Sequence, residues 1–383
     1  MVALIVTYMH YNIFYPEAVA HGLGCDSSKP NSVLHECLAE YLTDLGNTVS
    51  IKPNFLYNYK HGLKALRSYI LKKPRLLLKL IALTPYLSLS YDLQKYNIIQ
   101  IFKTFIEASF WCERYEPFQN EHIILHQPNI AELLACRLVG IVVYEIQHGD
   151  ISIDVPYYRY LIKSNQHFAI CILVWDLETL LYCENHLSAT SPVRLKCISN
   201  PILYTYKKNK ISSKFLRSIF KHSSVVSSKI QRPLEKSILL YAAQWGISKQ
   251  YPELFQYGLP KLLLNFIREN SSRYKLLVRN HPVTSAFSRL DILEISQLNI
   301  DILMLPDDIL LPHALSMADA FLTWQSSSVI ESLHLGIKSI LFTKLPYDYG
   351  PAFQTNEIPY SKYSCLFHLA YATESHQLKQ LLI

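Results

Sequence analysis

Three consecutive serines, Ser326-Ser327-Ser328, are the residues of this chain best suited to hold an anion. They lie between a predicted apolar strand at 319–323 and a short predicted amphipathic helix at 329–335. The N-terminus of a helix presents unpaired N–H groups and the positive end of the helix dipole, and hydroxyls on the same turn add donors. A phosphate group therefore suits this turn.

The same turn also has a purely structural interpretation. Ser328 is followed three residues later by Glu331, which is the pattern of a capping box that begins a helix without any ligand. Because such caps are common, both interpretations stay open on the turn alone. The neighbouring loops have to decide between them.

Two more polar loops follow predicted strands in the C-terminal half, namely Gln244-Trp245-Gly246 and Arg279-Asn280-His281-Pro282. Loops at the carboxyl ends of parallel strands meet at one edge of a sheet, where ligands bind. Arg279 can donate to a phosphate in a bidentate manner, and His281 can add a donor. A plain strand-end turn fixed by Pro282 is the alternative for His281-Pro282 alone. The joint occurrence of the three loops favours a site for a nucleotide mono- or diphosphate.

The N-terminal half has one comparable loop, Gln147-His148-Gly149-Asp150, directly after a predicted buried strand. Gly149 permits an unusual backbone or the close approach of a ligand. Either His148 or Asp150 could take a proton from a hydroxyl group. The structural alternative is a satisfied histidine in a tight turn with a solvent-facing aspartate. Glu145 is interpreted as a strand residue.

The elements that must position these loops alternate between strands and helices. Such alternation implies βαβ units and a parallel sheet. A chain of 383 residues suggests two domains, and we predict a first domain at 1–203, a basic interdomain linker at 204–236 and a second domain at 237–383. Strands are predicted at 2–8, 48–51, 121–126, 139–146, 168–175, 194–199, 237–242, 274–278, 300–304, 319–323 and 338–342. Helices are predicted at 32–45, 129–137, 177–185, 259–269, 310–317, 329–335 and 366–382.

Composition excludes several classes of protein. Half of the residues are apolar and 17% are charged, as in folded proteins. With ten glycines and neither a GxGxxG nor a GxxxxGK[ST] motif, a phosphate must be held by helix ends and side chains. The eight cysteines are scattered without zinc spacing, so we expect reduced thiols in a cytoplasmic protein and no metal site. Residues 1–7 are interpreted as a strand and not as a signal peptide.

The net charge of +7 is unevenly distributed. No Asp or Glu occurs between Leu45 and Tyr91, whereas residues 52–79 interleave leucines with eight basic residues. Basic, leucine-rich helices can lie on an anionic membrane surface; a helix with a solvated basic face is the alternative. Nucleic acid is not expected as a partner, because the basic residues are mixed with aliphatic side chains and no known binding motif occurs.

The motifs resemble those of GT-B glycosyltransferases in their order along the chain. The motifs are Gln147-His148-Gly149, Trp175 at the start of a helix, Asn200-Pro201, Arg279-Asn280-His281-Pro282 and Ser326-Ser327-Ser328. They are most similar to bacterial surface-polysaccharide transferases: the Kdo transferases of capsule and lipopolysaccharide assembly, sialyltransferases with an HP motif and a serine motif, and teichoic acid glycerophosphotransferases. The resemblance covers most of residues 120–345.

This resemblance implies an α/β protein with two Rossmann-like parallel-sheet domains facing across a cleft. The second domain would bind a nucleotide-sugar donor and the first an acceptor, without a metal and with no cofactor besides the donor, which is a substrate. The acidic motif that supplies the base in some relatives is missing, so the base stays open between Asp150 and His148. The residues assigned to the donor are Arg279, His281, Pro282, Gln244, Ser326, Ser327, Ser328 and Glu331, and those assigned to the acceptor side are Gln147 and Gly149.

The expected function is therefore sugar transfer from a nucleotide-activated donor to a bacterial surface glycan. A CMP-linked acidic sugar such as Kdo or sialic acid is the favoured donor, and an oligosaccharide or a lipid-linked glycan is the acceptor. The expected location is the cytoplasm, with peripheral attachment to the inner face of the cytoplasmic membrane if residues 52–79 bind lipid. The alternatives are a nucleotide-sugar epimerase of the same architecture and a non-catalytic glycan-binding protein.

Overall fold

A computed structural model describes most of the chain in two compact units. The described residues up to Tyr204 belong to the first unit and those from Thr205 onward to the second. The described residues are 10–15, 33–53, 59–72, 98–125, 127–147, 149–153, 155–165, 168–208, 210–230, 235–244, 246–280, 287–344, 358, 360–364, 366 and 368–382.

The first unit is built on a six-stranded parallel sheet. Its strands are β1 (His10–Tyr15), β2 (Thr48–Pro53), β3 (His122–Leu125), β4 (Val142–Ile146), β5 (Ile170–Val174) and β6 (Arg194–Cys197). They pair in the order β2-β1-β3-β4-β5-β6. Its helices are α1 (Val33–Asp44), α2 (Tyr59–Lys72), α3 (Ile98–Tyr115), α4 (Ile130–Val139), α5 (Pro156–Arg159), α6 (Leu177–His186) and α7 (Pro201–Lys207), the last of which continues into the second unit.

Local sequence explains where α4 begins and ends. The Asn129 side chain accepts the Glu132 N–H at 2.9 Å, and the Glu132 carboxylate accepts the Asn129 N–H at 2.9 Å, so a capping box starts the helix. Gly140 ends it with φ +84°, a left-handed conformation that glycine adopts readily. This placement brings Leu133 and Leu134 into the core against the strands.

The second unit contains another six-stranded parallel sheet. Its strands are β7 (Ser237–Ala242), β10 (Tyr274–Arg279), β11 (Ile302–Met304), β12 (Ala320–Thr323), β13 (Lys338–Leu341) and β14 (Leu369–Tyr371), beside a small antiparallel pair, β8 (Phe255–Gln256) and β9 (Leu259–Pro260). Its helices are α8 (Lys214–Ser228), α9 (Ile247–Gln250), α10 (Lys261–Glu269), α11 (Arg289–Gln297), α12 (Leu311–Ser316), α13 (Ser328–His334) and α14 (Ser375–Leu382).

The strand order of the second sheet is β11-β10-β7-β12-β13-β14. Counting its strands along the chain, this is the 3-2-1-4-5-6 order of a Rossmann sheet, in which the direction of strand addition reverses between β7 and β12. The crevice outside the carboxyl ends of the strands at this reversal is where such sheets bind ligands.

The predicted strands and helices that lie in the described part are present, with strand ends shifted by at most about three residues. The strand predicted at 2–8 lies outside the described residues. The observed elements that were not predicted are β1, β8, β9, α3, α5, α7, α8, α9 and α11. The single helix predicted at 366–382 is wrong in its first half, because β14 pairs there with β13 at Ser339↔Leu369 and a helix starts only at Ser375. A short edge strand such as β14 shows little alternation of apolar and polar residues. The helical spacing of the residues that follow it therefore led to the prediction of one helix.

The stretch predicted as a basic linker, 204–236, contains the whole of α8. Helical spacing places Leu216, Phe220 and Ser223 on one buried face. The Ser223 hydroxyl accepts the Leu310 N–H at 2.9 Å, which ties this helix to the second unit. That 204–236 connects two domains stays a prediction.

Across the described part of the chain, none of the helices has the length and apolar character needed to cross a membrane.

Candidate functional site

Three polar loops leave the second sheet at the same level. Ala242, the last residue of β7, is in register with Arg279 of β10 and with Thr323 of β12. The loops that follow these strands therefore start side by side at the carboxyl edge, where the strand order reverses. Arg279, Gln244 and the serine turn are brought to this edge by the fold.

Hydrogen bonds between loops brace the serine turn. The Gln244 side-chain oxygen accepts the Gln325 N–H, which links the loop after β7 to the loop after β12. The Thr323 hydroxyl donates to the Ala242 carbonyl at 3.0 Å and accepts the Ser326 N–H at 3.2 Å. Gln244 is therefore a bracing residue at the predicted site. Thr323 was missed, because a threonine that ends an apolar strand gives no sequence signal of a site.

Two of the three serines form hydrogen bonds with each other. The Ser326 hydroxyl donates to Ser328 Oγ at 3.0 Å and accepts the Ser328 N–H at 3.3 Å. Among the described residues, the Ser327 hydroxyl makes no hydrogen bond and the Ser328 hydroxyl donates none. Two hydroxyl donors therefore remain available at this turn.

The predicted capping box between Ser328 and Glu331 is wrong. Helix α13 has Ser327 at its N-cap position, and no side chain caps it. Ser328 already lies inside the helix. The Glu331 carboxyl is influenced instead by the charge of Arg279, which comes from another strand of the sheet.

Burial shifts the pKa values of two ionisable residues at this edge, Arg279 and Glu331. Arg279 is only 9% exposed, and burial lowers the pKa of its guanidinium, against the raising influence of Glu331 and Asp307. Burial raises the pKa of Glu331 to about 7, although its own backbone hydrogen bond, His334 and Arg279 act in the opposite direction. Glu331 is half-buried as a residue, yet its Oε2 atom is buried and has no hydrogen-bond partner among the described residues.

Within the described part of the chain, no ion pair joins Arg279 to Glu331 or to any other carboxylate. A buried charge without a bonded partner costs free energy. This arrangement is therefore suited to a ligand that brings an anionic group to Arg279 and a hydroxyl group to Glu331. A phosphorylated sugar or a nucleotide has both groups.

The loop after β4 in the first unit is held by Gln147. Its side-chain nitrogen donates to the Gly149 carbonyl at 2.8 Å, and its side-chain oxygen accepts the Trp175 N–H at 2.7 Å. Gln147 is fully buried, so both polar groups of its side chain are used on the backbone. It braces the loops after β4 and β5, as Gln244 braces those after β7 and β12.

Gly149 has φ +75°, a left-handed conformation that glycine accommodates without strain. Asp150 is 8% exposed, so the structural alternative of a solvent-facing aspartate is wrong. Glu145 is a strand residue, as predicted, but its buried carboxyl accepts a hydrogen bond from the Tyr157 hydroxyl. Burial raises the pKa of Glu145 well above its ordinary value, against the lowering influence of hydrogen bonds from Tyr157 and Tyr158.

Several predicted site residues lie outside the described residues, and their roles stay predictions: His148, Trp245, His281 and Pro282. In the described ranges, no group of three or more His, Cys, Asp and Glu side chains is placed to hold a metal ion.

No protein-family model matches the sequence, and no curated protein sequence matches it. Solved structures do resemble it. The UDP-GlcNAc 2-epimerase from Methanocaldococcus jannaschii has a TM-score of 0.55 at 9% identity, covering 98% of this chain and 92% of that one. S. aureus MnaA, solved with UDP, has a TM-score of 0.53 at 12% identity, covering 98% and 87%.

The glycosyltransferase SnogD from Streptomyces nogalater is also similar, at 10% identity and a TM-score of 0.48, covering 98% of this chain and 91% of that one. The chain has the predicted α/β fold of the GT-B type, with two Rossmann-like parallel sheets. Glycosyltransferases and UDP-GlcNAc 2-epimerases are both among the similar structures. At these identities the likeness establishes the fold alone.

Proposed function

We propose that this chain is a glycosyltransferase that moves a sugar from a nucleotide-activated donor to a bacterial surface glycan. The observation that carries the proposal is the buried Arg279, which pairs with no carboxylate among the described residues and lies at the strand-order reversal beside the serine turn. A CMP-linked acidic sugar such as Kdo or sialic acid is the favoured donor, because the HP and serine motifs resemble those of enzymes that use such donors.

In this proposal Arg279 binds the donor phosphate through charge-assisted hydrogen bonds. The Ser327 and Ser328 hydroxyls, which donate no hydrogen bond among the described residues, add neutral donors. The Oε2 atom of Glu331 has no hydrogen-bond partner among the described residues and would accept a hydrogen bond from a hydroxyl of the donor. The buried Oε2 atom of Glu331 would then gain a hydrogen-bond partner, and the guanidinium of Arg279 a counter-charge.

The same groups would promote the reaction. When the bond between sugar and phosphate breaks, negative charge grows on the leaving phosphate. Donors held by a braced turn and a buried guanidinium stabilise that charge without reorganising, and they act strongly where water is excluded. Direct displacement also requires a base for the acceptor hydroxyl, and we assign this role to Asp150 or His148 of the first unit.

A second candidate function is nucleotide-sugar epimerisation. The M. jannaschii protein with this fold is named as a UDP-GlcNAc 2-epimerase, and MnaA was solved with UDP. An epimerase would use the same donor groups and would need no acceptor. A third outcome, binding without turnover, would indicate a non-catalytic glycan-binding protein.

The first experiment is calorimetry of the full chain with CMP, CDP, UDP and GDP, followed by the sugar-linked form of the nucleotide that binds best. We expect His281→Ala and Arg279→Met to weaken binding, and the exposed α10 residue Arg268 provides the control Arg268→Met. If none of these nucleotides binds and His281→Ala changes nothing, the transferase proposal is wrong.

The bound sugar nucleotide is then incubated with and without glycan oligosaccharides. Release of the free nucleotide that depends on the glycan supports the transferase. A change in the sugar's configuration without any glycan supports the epimerase instead. Binding without either change supports the non-catalytic alternative.

We further propose that α2, within residues 52–79, rests on the inner face of an anionic membrane. Lys60, Leu63, Lys64 and Arg67 are exposed and lie on one helical face, so basic groups and an apolar one point the same way. Each basic residue near an anionic surface contributes about 1 kcal/mol, so each of Lys64→Glu and Arg67→Glu should weaken binding by at least about fivefold. The test is flotation with phosphatidylglycerol vesicles at low salt, and wild-type protein that does not float with them would exclude this role.

A further inference from the structure

A cavity lies in the second unit, beside the candidate site. Its volume is about 430 Å³, within the range of small-molecule pockets. Trp324, directly after β12, and Phe342, directly after β13, line it, together with residues of the segment that surrounds β8 and β9. It therefore lies at the β12–β13 side of the carboxyl edge, whereas the strand order reverses between β7 and β12.

The walls of this cavity are largely apolar. The wall that contains Trp324 and Phe342 also includes Leu254, Pro260 and Leu262. Leu254 is 41% exposed, so part of the wall meets water in the free protein. Besides Thr343 and Thr373, a sugar or a nucleotide base would find few hydrogen-bond partners in this wall, whereas a hydrocarbon chain would remove apolar surface from water.

The rim of the cavity is basic. Lys261 and Lys344 line it and both are exposed, against one acidic residue, Glu253. The Lys261 ammonium donates to the Glu253 carbonyl at 2.6 Å, which leaves further donors free. The Lys344 ammonium lies 5.8 Å from the centre of the Tyr371 ring, which orients it by a cation–π contact. An anionic group can therefore bind at the mouth of an apolar cavity.

We propose that this cavity binds a lipid phosphate, with the hydrocarbon chain against Trp324 and Phe342 and the phosphate between Lys261 and Lys344. The site is distinct from the donor groups, because neither Arg279 nor Glu331 lines it. The proposal does not depend on the transferase function: a protein that binds a lipid phosphate but no nucleotide would refute that function and leave this one standing.

The first test is calorimetry of the full chain with octyl and decyl phosphate, below the concentrations at which they form micelles. Each buried methylene contributes about 0.8 kcal/mol, so each added carbon should tighten binding about fourfold until the cavity is full. Trp324 supplies a second readout, because its fluorescence should change on binding and the change should vanish in Trp324→Phe. Equal affinity for the two chain lengths, or for decyltrimethylammonium and decyl phosphate, would overturn the proposal.

The second test uses variants. Leu254→Glu places a charge in the wall and should weaken decyl phosphate binding by at least tenfold, and its partial exposure means that the protein should still fold. The control is Leu290→Glu, at a leucine of the same unit that is 70% exposed and does not line the cavity. Lys344→Gln should weaken decyl phosphate binding about two- to fivefold and leave decanol binding unchanged. If Leu254→Glu behaves like Leu290→Glu, the cavity is not the binding site.

The third test separates a monomeric lipid phosphate from the lipid of a bilayer. We expect Leu254→Glu to lose decyl phosphate binding and to keep wild-type binding to phosphatidylglycerol vesicles. Lost vesicle binding with intact decyl phosphate binding would contradict the proposal.

Discussion

Arg279→Met should affect stability and nucleotide binding in opposite directions. In the free protein, Arg279 is 9% exposed and forms no ion pair among the described residues. Removing a charge from water costs several kcal/mol unless a bonded partner offsets it. Methionine fills a similar volume with apolar atoms, so the variant should be as stable as the wild type or more stable by about 1 to 2 kcal/mol.

Glu331 limits the stability that Arg279→Met gains. Arg279 lowers the pKa of Glu331, so its removal raises this pKa and favours the protonated carboxyl at neutral pH. A neutral Glu331 carboxyl in this half-buried position costs little free energy. We therefore expect that losing its attraction to Arg279 does not lower the stability of the variant. A urea titration of the nucleotide-free protein at pH 7 measures the sum.

Nucleotide binding should fall in the same variant. A hydrogen bond to a charged group is worth about 1.5 to 3 kcal/mol, which corresponds to a loss of roughly 10- to 150-fold in affinity for a nucleotide phosphate. Calorimetry with CMP and UDP measures this loss, and Arg268→Met should show none. A variant that is destabilised by 3 kcal/mol or more, with unchanged nucleotide affinity, would show that Arg279 is a structural residue and refute the reasoning.

Three further predictions test the same physical picture. Burial raises the folded-state pKa of Glu331 to about 7, above its unfolded value, so its ionisation destabilises the folded protein as pH rises. Glu331→Gln should therefore be more stable than wild type by about 1 to 3 kcal/mol at pH 8, and the difference should be gone by pH 4. Urea titrations at the two pH values measure this. Ser327→Ala should change stability by less than about 0.5 kcal/mol but weaken nucleotide binding about fivefold, whereas Ser326→Ala, which breaks bonds within the turn, should lower stability by about 1 kcal/mol; equal stability of the two would contradict the assignment. Gln147→Leu should lower the free energy of unfolding by about 1 to 3 kcal/mol, because it leaves the buried Trp175 N–H without its acceptor, and an unchanged denaturation midpoint would contradict the bracing role.

The capping box at Ser328 shows where local patterns fail. Spacing alone predicted that Glu331 would turn back to the start of its own helix. In the folded protein, the charge of Arg279 acts on the Glu331 carboxyl from a different strand of the sheet. No local pattern contains that neighbour, because 279 and 331 meet only after the sheet has formed.

The two glutamines show the same limit. Sequence placed Gln147 and Gln244 correctly in polar loops after strands and assigned them to ligands. In the structure their side chains accept N–H groups from the neighbouring loops, at Trp175 and Gln325, and the assignment of both to ligands stays a prediction. A polar side chain in a strand-end loop looks the same in sequence whether it bonds to a ligand or to backbone.

The sequence by itself determined the elements and the class of fold. Apolar runs and helical spacing are local properties, so the strand at Ser237–Ala242 was predicted with its observed bounds, and the alternation of elements predicted parallel sheets. Tertiary structure alone decided the strand order, the register that sets Arg279 and Thr323 beside Ala242, and the apolar cavity at Trp324. These depend on pairing and packing between segments far apart in the chain, and burial then sets which charges and donors lack a partner.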